Sequence, residues 1–342
     1  MEQTRNRIPK AIAAIVGAVI MILIAVLIRG FLDSDQGSSI TNQVSFNKDG
    51  ADLIYCSTEI SLVCDTYRED TNSQIIVESP GKTLERLSNA NAQELEKTIW
   101  IVSEPWPEIL NAERERLSKN NVTSDSAVLG QSDLSLAIWE DRQEVLEQYC
   151  LSAGSKSIDF DCLSEASGKD WAELGGSNSW GKFKLGHRRS DEFTDGLLAI
   201  TLFSQNYFDE TKFASNDFDS QFRNWFSTLE RSMTDFSPSA GSPIDEALLI
   251  GSASNDAVIV IDAEVRTKIE LSRQKDELKL VPLGSNKVRV FAVTIAGAEL
   301  DSVEKEIESI MKDQGWETPG EGISFPSAGV LSALIDQWEK SI

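Results

Sequence analysis

The sequence contains only one histidine, His187, among its 342 residues. Serine–histidine–aspartate catalysis, the common histidine-rich zinc sites and haem ligation depend on histidine, so the sequence offers them almost nothing. The chain also lacks Gly-x-Ser-x-Gly, a phosphate-binding loop and a dinucleotide-binding fingerprint. Ser-x-x-Lys recurs, but no Lys-Thr-Gly or Ser-Asp-Asn motif accompanies it. We therefore expect a protein that is not an enzyme and that holds no cofactor.

Positive charge is also scarce, because 32 lysines and arginines face 55 aspartates and glutamates, which gives a net charge of −23. Nucleic-acid phosphates repel so acidic a chain, and nucleic-acid binding is therefore disfavoured. A hydrophobic fraction of 41% excludes wholesale disorder. The acidity itself has three interpretations that the sequence leaves open: solubility, a bacterial surface location, or a site for a cationic ligand.

One long hydrophobic run, Ala11–Ile28, stands near the N-terminus and contains no charged residue. At about 1.5 Å per residue it would make roughly 27 Å of helix, close to the hydrocarbon thickness of a bilayer. A cleaved signal peptide is the alternative, but such peptides have shorter apolar runs, and the following Arg29-Gly30-Phe31-Leu32-Asp33 is a poor cleavage site. We expect an uncleaved signal-anchor, a transmembrane helix within residues 11–32.

The charges beside this run predict its orientation. Arg29 alone follows the run, and three basic residues precede it: Arg5, Arg7 and Lys10. Because basic residues stay on the cytoplasmic side, residues 1–10 should be cytoplasmic. Residues 33–50, rich in serine, glycine, aspartate and asparagine, are then a flexible extracellular tether. We expect a single-pass protein of the cell membrane with an extracellular ectodomain.

The four cysteines form two close pairs, Cys56 with Cys64 and Cys150 with Cys162. An exported protein meets an oxidising environment, which favours disulfide bonds. Of the three possible pairings, the local one is favoured by spacing alone. The separations also differ from the Cys-x-x-Cys spacing that is typical of zinc sites, and we expect no metal. We therefore predict two local disulfides.

Short apolar strands alternate with helices along the folded part. Strands are predicted at Asp52–Tyr55, Gln74–Glu78, Thr98–Val102, Ser135–Trp139 and Ala257–Ile261. A hairpin is predicted from Glu277–Leu283 and Lys287–Thr294, with its turn at Gly284-Ser285-Asn286. Helices are predicted at Phe193–Tyr207, Phe218–Ser232, Pro243–Ile250, Glu299–Gln314 and Val330–Lys340. This alternation is typical of α/β proteins with a mostly parallel sheet.

The order of these elements resembles that of the bacterial extracellular solute-binding proteins of the type 2 periplasmic-binding class. The best local match is Gly181–Leu198, in which a glycine-containing turn leads into an apolar helix. The resemblance spans roughly Ala51–Ile342. It implies an α/β, two-lobed type 2 periplasmic-binding-protein-like fold after the N-terminal transmembrane helix.

The resemblance also implies where the lobes divide. Lobe 1 would comprise residues 51–139 and 263–342, and lobe 2 would comprise residues 140–262. The two crossings between the lobes would lie near Trp139–Asp141 and near Ile261–Glu264. In such a fold, a ligand that touches both lobes favours the closed state by its differential affinity for it.

Candidate ligand-binding residues stand just after predicted strands or at the start of the apolar helix. They are Ser57, Thr58, Glu59, Ser103, Trp106, Asp191, Thr194, Asp195 and Asp262. Each has a structural interpretation as well. Hydroxyl and acidic residues at these places cap helices or face helix dipoles, and a tryptophan between prolines is often a packed loop residue.

Charge alone suggests what a shared cleft would bind. If Glu59, Asp191 and Asp195 line one cleft, its field favours a cation or an amine and repels phosphate or sulfate. The only basic cluster nearby is His187, Arg188 and Arg189, which we predict to be an exposed turn with solvated charges, rather than an anion site.

Two functions remain for such a protein. The first is a membrane-anchored extracellular solute-binding protein that captures a small solute or a cell-envelope component, with a transporter permease as a possible partner. The alternative is the same fold reused as a non-transport sensor or protein-interaction module at the envelope. A transport receptor should have a polar, ligand-shaped pocket, whereas an interaction module should have a cleft that is collapsed or filled by side chains.

Overall fold

The computed structural model describes residues 53–342, except 72, 73, 92–94, 96, 156, 234, 235, 237–241, 296, 297 and 299. The predicted membrane segment and tether lie outside these residues. Among the described residues, no helix is long and apolar enough to cross a membrane. By its contacts, the chain from Ala51 to Ile342 forms one compact unit.

Seven strands form one sheet. Their bounds are β1 Leu53–Ser57, β2 Ile75–Glu78, β3 Thr98–Ser103, β4 Thr123–Trp139, β5 Leu185–Gly186, β6 Ala257–Ile261 and β7 Leu278–Ile295. The predicted positions of β1, β2, β3 and β6 are confirmed to within two residues, because these strands are short, apolar and bounded by turn residues. The predicted Ser135–Trp139 is the second part of the much longer β4.

Eleven α-helices cover the sheet within the described residues. They are α1 Ser61–Thr71, α2 Pro80–Asn89, α3 Trp106–Arg116, α4 Glu140–Ser152, α5 Phe160–Ala166, α6 Thr194–Phe208, α7 Ser220–Arg231, α8 Pro243–Ile250, α9 Asp262–Leu271, α10 Asp301–Asp313 and α11 Ala328–Glu339. The five helices predicted in the second half of the chain are confirmed. Helix α7 shows the reason most clearly, since its buried residues Phe222, Phe226 and Leu229 recur at helical spacing.

The strand order is β2-β1-β3-β7-β4-β6-β5. Strand β1 pairs in parallel with β2 and β3, and β5 pairs in parallel with β6. The remaining pairs, β3 with β7, β7 with β4, and β4 with β6, are antiparallel. The sheet is therefore mixed, and the prediction of a mostly parallel sheet is wrong. Two long antiparallel strands stand in its middle, where sequence alternation suggested short ones.

Strands β4 and β7 divide the sheet into two halves. Half-sheet 1 contains β2, β1, β3 and the segments Thr123–Val128 and Val290–Ile295. Half-sheet 2 contains β5, β6 and the segments Leu134–Trp139 and Leu278–Pro282. Because β1 and β3 run opposite to β6 and β5, the carboxyl ends of both sets face the middle of β4 and β7. The residues that follow β1, β3, β5 and β6 therefore all lie near the middle of β4 and β7.

The predicted hairpin in the last strand region is wrong. Residues 278–295 form a single strand along β4, with Pro282 opposite Ser135 and Lys287 opposite Asp133. The intervening residues form a bulge, in which Gly284 adopts the positive φ of 68° that its turn-like composition permits. Turn-forming residues here interrupt the register of a strand instead of reversing the chain.

The chain passes from one half-sheet to the other within β4, around Gly130–Asp133, and within β7, around Lys287–Val288. The segments for which crossings were predicted lie elsewhere: Trp139 ends β4 within half-sheet 2, and Ile261 ends β6. The division into lobes at residues 139 and 263 stays a prediction.

Both predicted disulfides are confirmed. Cys56–Cys64 joins the end of β1 to α1, and Cys150–Cys162 joins α4 to α5. All four cysteines are buried in the largest hydrophobic cluster, which lies on one face of the sheet and also contains Leu198 of α6. A second cluster, centred on Trp100, Trp106 and Phe222, lies on the other face. The first cluster includes residues of both half-sheets, such as Ile99 and Ile259, and so holds them together.

Candidate ligand cleft

Residues that follow the carboxyl ends of four strands meet between the half-sheets. Glu59 comes two residues after β1, Glu104 directly after β3, Arg188 two residues after β5, and Glu264 shortly after β6. Ligands of open α/β sheets bind at such carboxyl ends. We call this region the cleft.

The centre of the cleft is occupied by the Arg188 side chain. Its Nε donates to both carboxylate oxygens of Asp195, at 2.8 and 3.0 Å. Its Nη1 and Nη2 donate to the two oxygens of Glu264, at 2.8 and 2.7 Å. The side chains are 10% exposed for Arg188, 2% for Asp195 and 8% for Glu264. One buried guanidinium therefore forms charge-assisted hydrogen bonds to two carboxylates at the same time.

A third carboxylate, that of Glu59, faces the same guanidinium. Glu59 is 2% exposed, and its Oε1 accepts from the backbone N–H of Thr194 at 2.9 Å. Thr194 is the first residue of α6, so Glu59 satisfies an amide that has no partner inside the helix. The Thr194 hydroxyl accepts from Trp106 Nε1 at 3.0 Å. These contacts connect half-sheet 1 to the start of α6.

The cluster holds one cation and three carboxylates, and the pKa shifts follow from that imbalance. Burial raises the pKa of Glu264 to about 7, although Arg188 acts in the opposite direction. Burial also raises the pKa of Glu59, again against the attraction of Arg188. Burial lowers the pKa of Arg188, but Asp195 and Glu264 outweigh it and the pKa is raised overall. The guanidinium therefore stays charged, and a carboxyl group titrates near neutral pH.

The two sides of the cleft touch through their backbones. The Gly81 N–H, in the first turn of α2, donates to the Glu192 carbonyl at 3.1 Å. A Cβ atom on Gly81 would lie 2.1 Å from the Asp191 carbonyl oxygen, so only glycine allows this approach. Nearby, Lys82 Nζ lies 3.9 Å from Glu192. The two sides of the cleft are therefore in direct backbone contact along this edge.

Of the remaining candidate residues, some form ion pairs or hydrogen bonds, and others have a hydroxyl group without a hydrogen-bond partner. Asp191 pairs with Arg189, so it does not join Glu59 and Asp195 as the charge argument assumed. Asp262 pairs with Arg266 and accepts from a serine hydroxyl of β4. Among the candidate residues, Thr58 and Ser103 have buried hydroxyl oxygens without a hydrogen-bond partner. The Ser57 hydroxyl donates to Glu59 Oε2.

The prediction of an exposed basic turn at His187–Arg189 is wrong. His187 is fully buried, its Nδ1–H donates to the Arg188 carbonyl at 2.7 Å, and its Nε2 lies 3.3 Å from Glu230 Oε2. Burial lowers the pKa of His187, but Glu230 and the Arg188 carbonyl outweigh burial, so the pKa is raised overall. Glu230 also accepts from Trp338 Nε1 at 2.8 Å. The turn is a buried support of the cleft.

A second ion pair, absent from the sequence-based candidates, ties β3 to the passage between the half-sheets. Arg289 of β7 donates through Nη2 and Nε to Glu104 Oε2, at 2.6 and 2.9 Å, and Glu104 is 2% exposed. The backbone N–H of Glu104 donates to the Arg289 carbonyl at 3.0 Å. Gly322 lies so close that a Cβ there would be 2.3 Å from Arg289 Nε.

The mouth of the cleft keeps an open cavity of about 320 Å³ between α1 and α9. Glu59 and Glu264 line it, and the exposed Leu62 and Leu271 stand at its rim. Among the described residues, no group of histidine, cysteine, aspartate and glutamate side chains is placed to hold a metal ion.

The central residues that the sequence missed are Arg188 and Glu264. Arg188 looked solvated because it stands between His187 and Arg189 in a polar turn, while Glu264 is one of many acidic residues in the chain. They are 76 residues apart, and only the pairing of β5 with β6 brings them together. The one available signal is an arginine shortly before the predicted helix Phe193–Tyr207, in an acidic chain.

No family model and no curated protein matches the chain. Among solved structures, one from Bordetella parapertussis, provisionally named an extracellular solute-binding protein, superposes with a TM-score of 0.50 at 9% identity, covering 86% of this chain and 99% of that chain. Apo ferric ion-binding protein A of Pasteurella haemolytica gives 0.49 at 12% identity, covering 85% and 95%. The substrate binding protein of an ABC transporter from Agrobacterium tumefaciens gives 0.48 at 9% identity, covering 87% and 96%. These structural neighbours are binding proteins, and the described residues share with the first of them the fold of the extracellular solute-binding proteins.

Proposed function

We propose that the protein is an interaction or sensor module built on a solute-binding-protein fold and anchored in the cell membrane, with its folded part outside the cell. It works with its cleft closed and filled by its own side chains, and it performs no catalysis. This proposal adopts the second of the two functions that the sequence allows.

The observation that carries the proposal is the position of Arg188. In a receptor that captures and releases a solute, the polar groups at the strand ends must become free when the solute leaves. Here three of the five N–H donors of the guanidinium already point at carboxylates of Asp195 and Glu264. A tethered cation thus takes the central place that a solute would need, and it cannot diffuse away.

A second candidate, capture of a cationic solute for a transporter permease, is favoured by the cavity at the cleft mouth. Glu59 and Glu264 line that cavity, and the cluster has two more carboxylates than cations. A small amine entering there would find acidic groups beside the apolar Leu62 and Leu271. In this case Arg188 would have to move or share its partners.

Methylguanidinium distinguishes the two functions, because it reproduces the head group of Arg188. We expect millimolar methylguanidinium to raise the melting temperature of an Arg188→Met variant, by mass action on the vacated site, and to leave the natural protein unchanged. The matched control is Arg116→Met, which removes an exposed arginine paired with Glu113 and should not respond.

Calorimetry with a panel of small amines completes the test, because the cleft presents an excess of carboxylates and favours cations. The proposal expects no saturable heat from any amine with the natural protein. Saturable binding of an amine that also raises the melting temperature of the natural protein would instead support solute capture.

A further inference from the structure

Four basic side chains surround one open groove that has no part in the cleft. The groove has a volume of about 990 Å³ and lies between helix α7 and the extended segments that precede β5. Its basic residues are Lys169, Lys182, Lys184 and Arg231. We call it the basic groove. It lies at the amino end of β5, whereas Arg188 follows the carboxyl end of that strand.

Within the described part of the chain, none of these four cations forms an ion pair with a carboxylate. Lys169 Nζ donates to the Tyr149 hydroxyl at 2.7 Å, Lys184 Nζ to the Ala253 carbonyl at 2.6 Å, and Arg231 Nε to the Ser341 carbonyl at 3.0 Å. Lys182 is exposed and forms no ion pair within the described residues, although Asp170 pairs with it in an isolated antiparallel bridge. The head groups of the other three cations thus bond neutral partners, and Asp256 interacts with Lys184 only through its charge.

This concentration of positive charge contrasts with the rest of the molecule. The chain carries a net charge of −23, and one lining residue of the groove, Glu165, is acidic. At physiological ionic strength, charges are screened beyond about 8 Å, so a ligand inside the groove senses the four cations more strongly than the distant carboxylates. The groove therefore favours an anionic ligand, although the whole protein repels one at long range.

The other lining groups match the chemistry of sugars. Asn224, Thr228 and Arg231 follow one another along one face of α7, so an amide and a hydroxyl stand beside a guanidinium. The half-buried Trp225 forms part of the same wall, and a tryptophan ring offers a flat apolar surface to a sugar ring. Ser167 and Ser232 add further hydroxyls to the lining.

We propose that the basic groove binds an acidic glycan, a chain of sugar rings that carries carboxylates. The cations neutralise the acidic groups, the hydroxyl and amide side chains bond the sugar hydroxyls, and Trp225 packs against a ring. The groove is large and open, at about 990 Å³, so it fits a segment of a polymer rather than an enclosed monosaccharide. This site is separate from the cleft and does not depend on what the cleft binds.

The test uses the full-length protein in an uncharged detergent and three defined probes. These are an oligogalacturonate of about ten residues, a neutral malto-oligosaccharide of equal length, and linear polyphosphate. We expect the oligogalacturonate to bind, with an affinity that falls at least several-fold between 50 and 200 mM salt, and the neutral oligosaccharide not to bind. Polyphosphate should bind more weakly than the oligogalacturonate, because it has no ring to pack on Trp225.

Two charge reversals locate the site. Lys182→Glu should weaken oligogalacturonate binding about 5- to 10-fold, and because Lys182 is exposed and forms no ion pair within the described residues, the variant should fold normally. Lys275→Glu makes the same charge change at an exposed position outside the groove and should change affinity by less than about 2-fold. Absence of oligogalacturonate binding, equal effects of the two substitutions, or polyphosphate binding as tight as the glycan would each overturn the proposal.

Discussion

The cleft and the basic groove use charge in opposite ways. In the cleft, Arg188 is held by two carboxylates and faces a third, and all four side chains are at least nine-tenths buried. In the groove, four cations line an open space and none forms an ion pair with a carboxylate within the described residues. Buried charges that are paired stabilise one closed arrangement, and exposed charges without a partner remain available to a ligand.

The site at the strand ends, where open α/β sheets hold ligands, is part of the interior here. The surface beside α7 instead presents basic side chains that form no ion pair within the described residues. The comparison can be tested by variants that remove charge or space from each region in turn.

The largest effect should come from Arg188→Met. The substitution leaves Asp195, Glu264 and Glu59 buried without their cation, and breaking a buried charge network typically costs about 3–5 kcal/mol. We expect a loss of this size in the free energy of unfolding, measured by urea titration. Arg116→Met, which breaks an exposed pair with Glu113, should cost much less, because solvent screens the pair. Similar losses of unfolding free energy in both variants would show that the cleft network stabilises the protein no more than an exposed ion pair does.

A pH dependence of stability should follow from Glu264. Its pKa is about 7 in the folded protein against an ordinary 4.5, so the folded state binds more protons between these values. The free energy of unfolding should therefore fall as the pH rises from 4.5 to 7, by about 3 kcal/mol at about 1.4 kcal/mol per pKa unit. The raised pKa of His187 acts in the same direction, since its contribution is lost as the pH rises through the folded pKa.

The Glu264→Gln variant checks the assignment. Urea unfolding at pH 5 and pH 8 should show a smaller difference in this variant than in the natural protein. Glu270→Gln, an exposed position on the same helix α9, should keep the full difference. A natural protein that is more stable at pH 8 than at pH 5 would refute the burial of an uncompensated carboxyl group in the cleft.

A smaller effect on stability should come from adding a methyl group where the two sides of the cleft are in contact. Gly81→Ala places a methyl group within 2.1 Å of the Asp191 carbonyl oxygen, and such overpacking costs about 1–3 kcal/mol. Gly329→Ala is the matched control, because Gly329 is also the second residue of a helix and has no atom near its would-be Cβ. We expect urea unfolding to show destabilisation in the first variant, and no loss in the second, since alanine favours helix. Equal stability of the two variants would mean that the cleft edge is open in solution.

The smallest effect on stability should come from the basic groove. Lys182→Glu changes an exposed side chain that forms no ion pair within the described residues, so the free energy of unfolding should change by less than about 0.5 kcal/mol. Urea titration of this variant beside Lys275→Glu checks the expectation. A large loss for Lys182→Glu would show that the groove is a structural feature like the cleft, and the contrast between the two regions would fail.

The sequence predicts the parts of this molecule that depend on local pattern. Strand β6 matches its prediction at both ends because Ala257–Ile261 is a short apolar run between polar residues. Both disulfides follow from the close spacing of the paired cysteines. Glu59, Trp106, Thr194 and Asp195 were candidates, and the structure joins them in one network.

The features that the sequence does not reveal depend on contacts between distant segments. Strand β7 contains Gly284-Ser285-Asn286, whose composition is typical of a turn, but the long partner strand β4 absorbs it as a bulge. Arg188 is buried only because Asp195 and Glu264 reach it from α6 and α9. Local composition carries no information about such distant partners. The sequence therefore does not distinguish a buried arginine with two carboxylate partners from an arginine in a solvated turn.

Hydrogen exchange at two backbone amides tests most directly whether the cleft is closed by the protein itself. Gly81 and Thr194 stand in the first turns of their helices, where amides lack an intrahelical partner and ordinarily exchange fast. Each instead donates across the cleft, Gly81 to the Glu192 carbonyl and Thr194 to Glu59. Measured residue by residue on protein dialysed free of small molecules, both amides should be strongly protected. Fast exchange at both, slowed only when a solute is added, would show that the cleft opens and closes around a ligand.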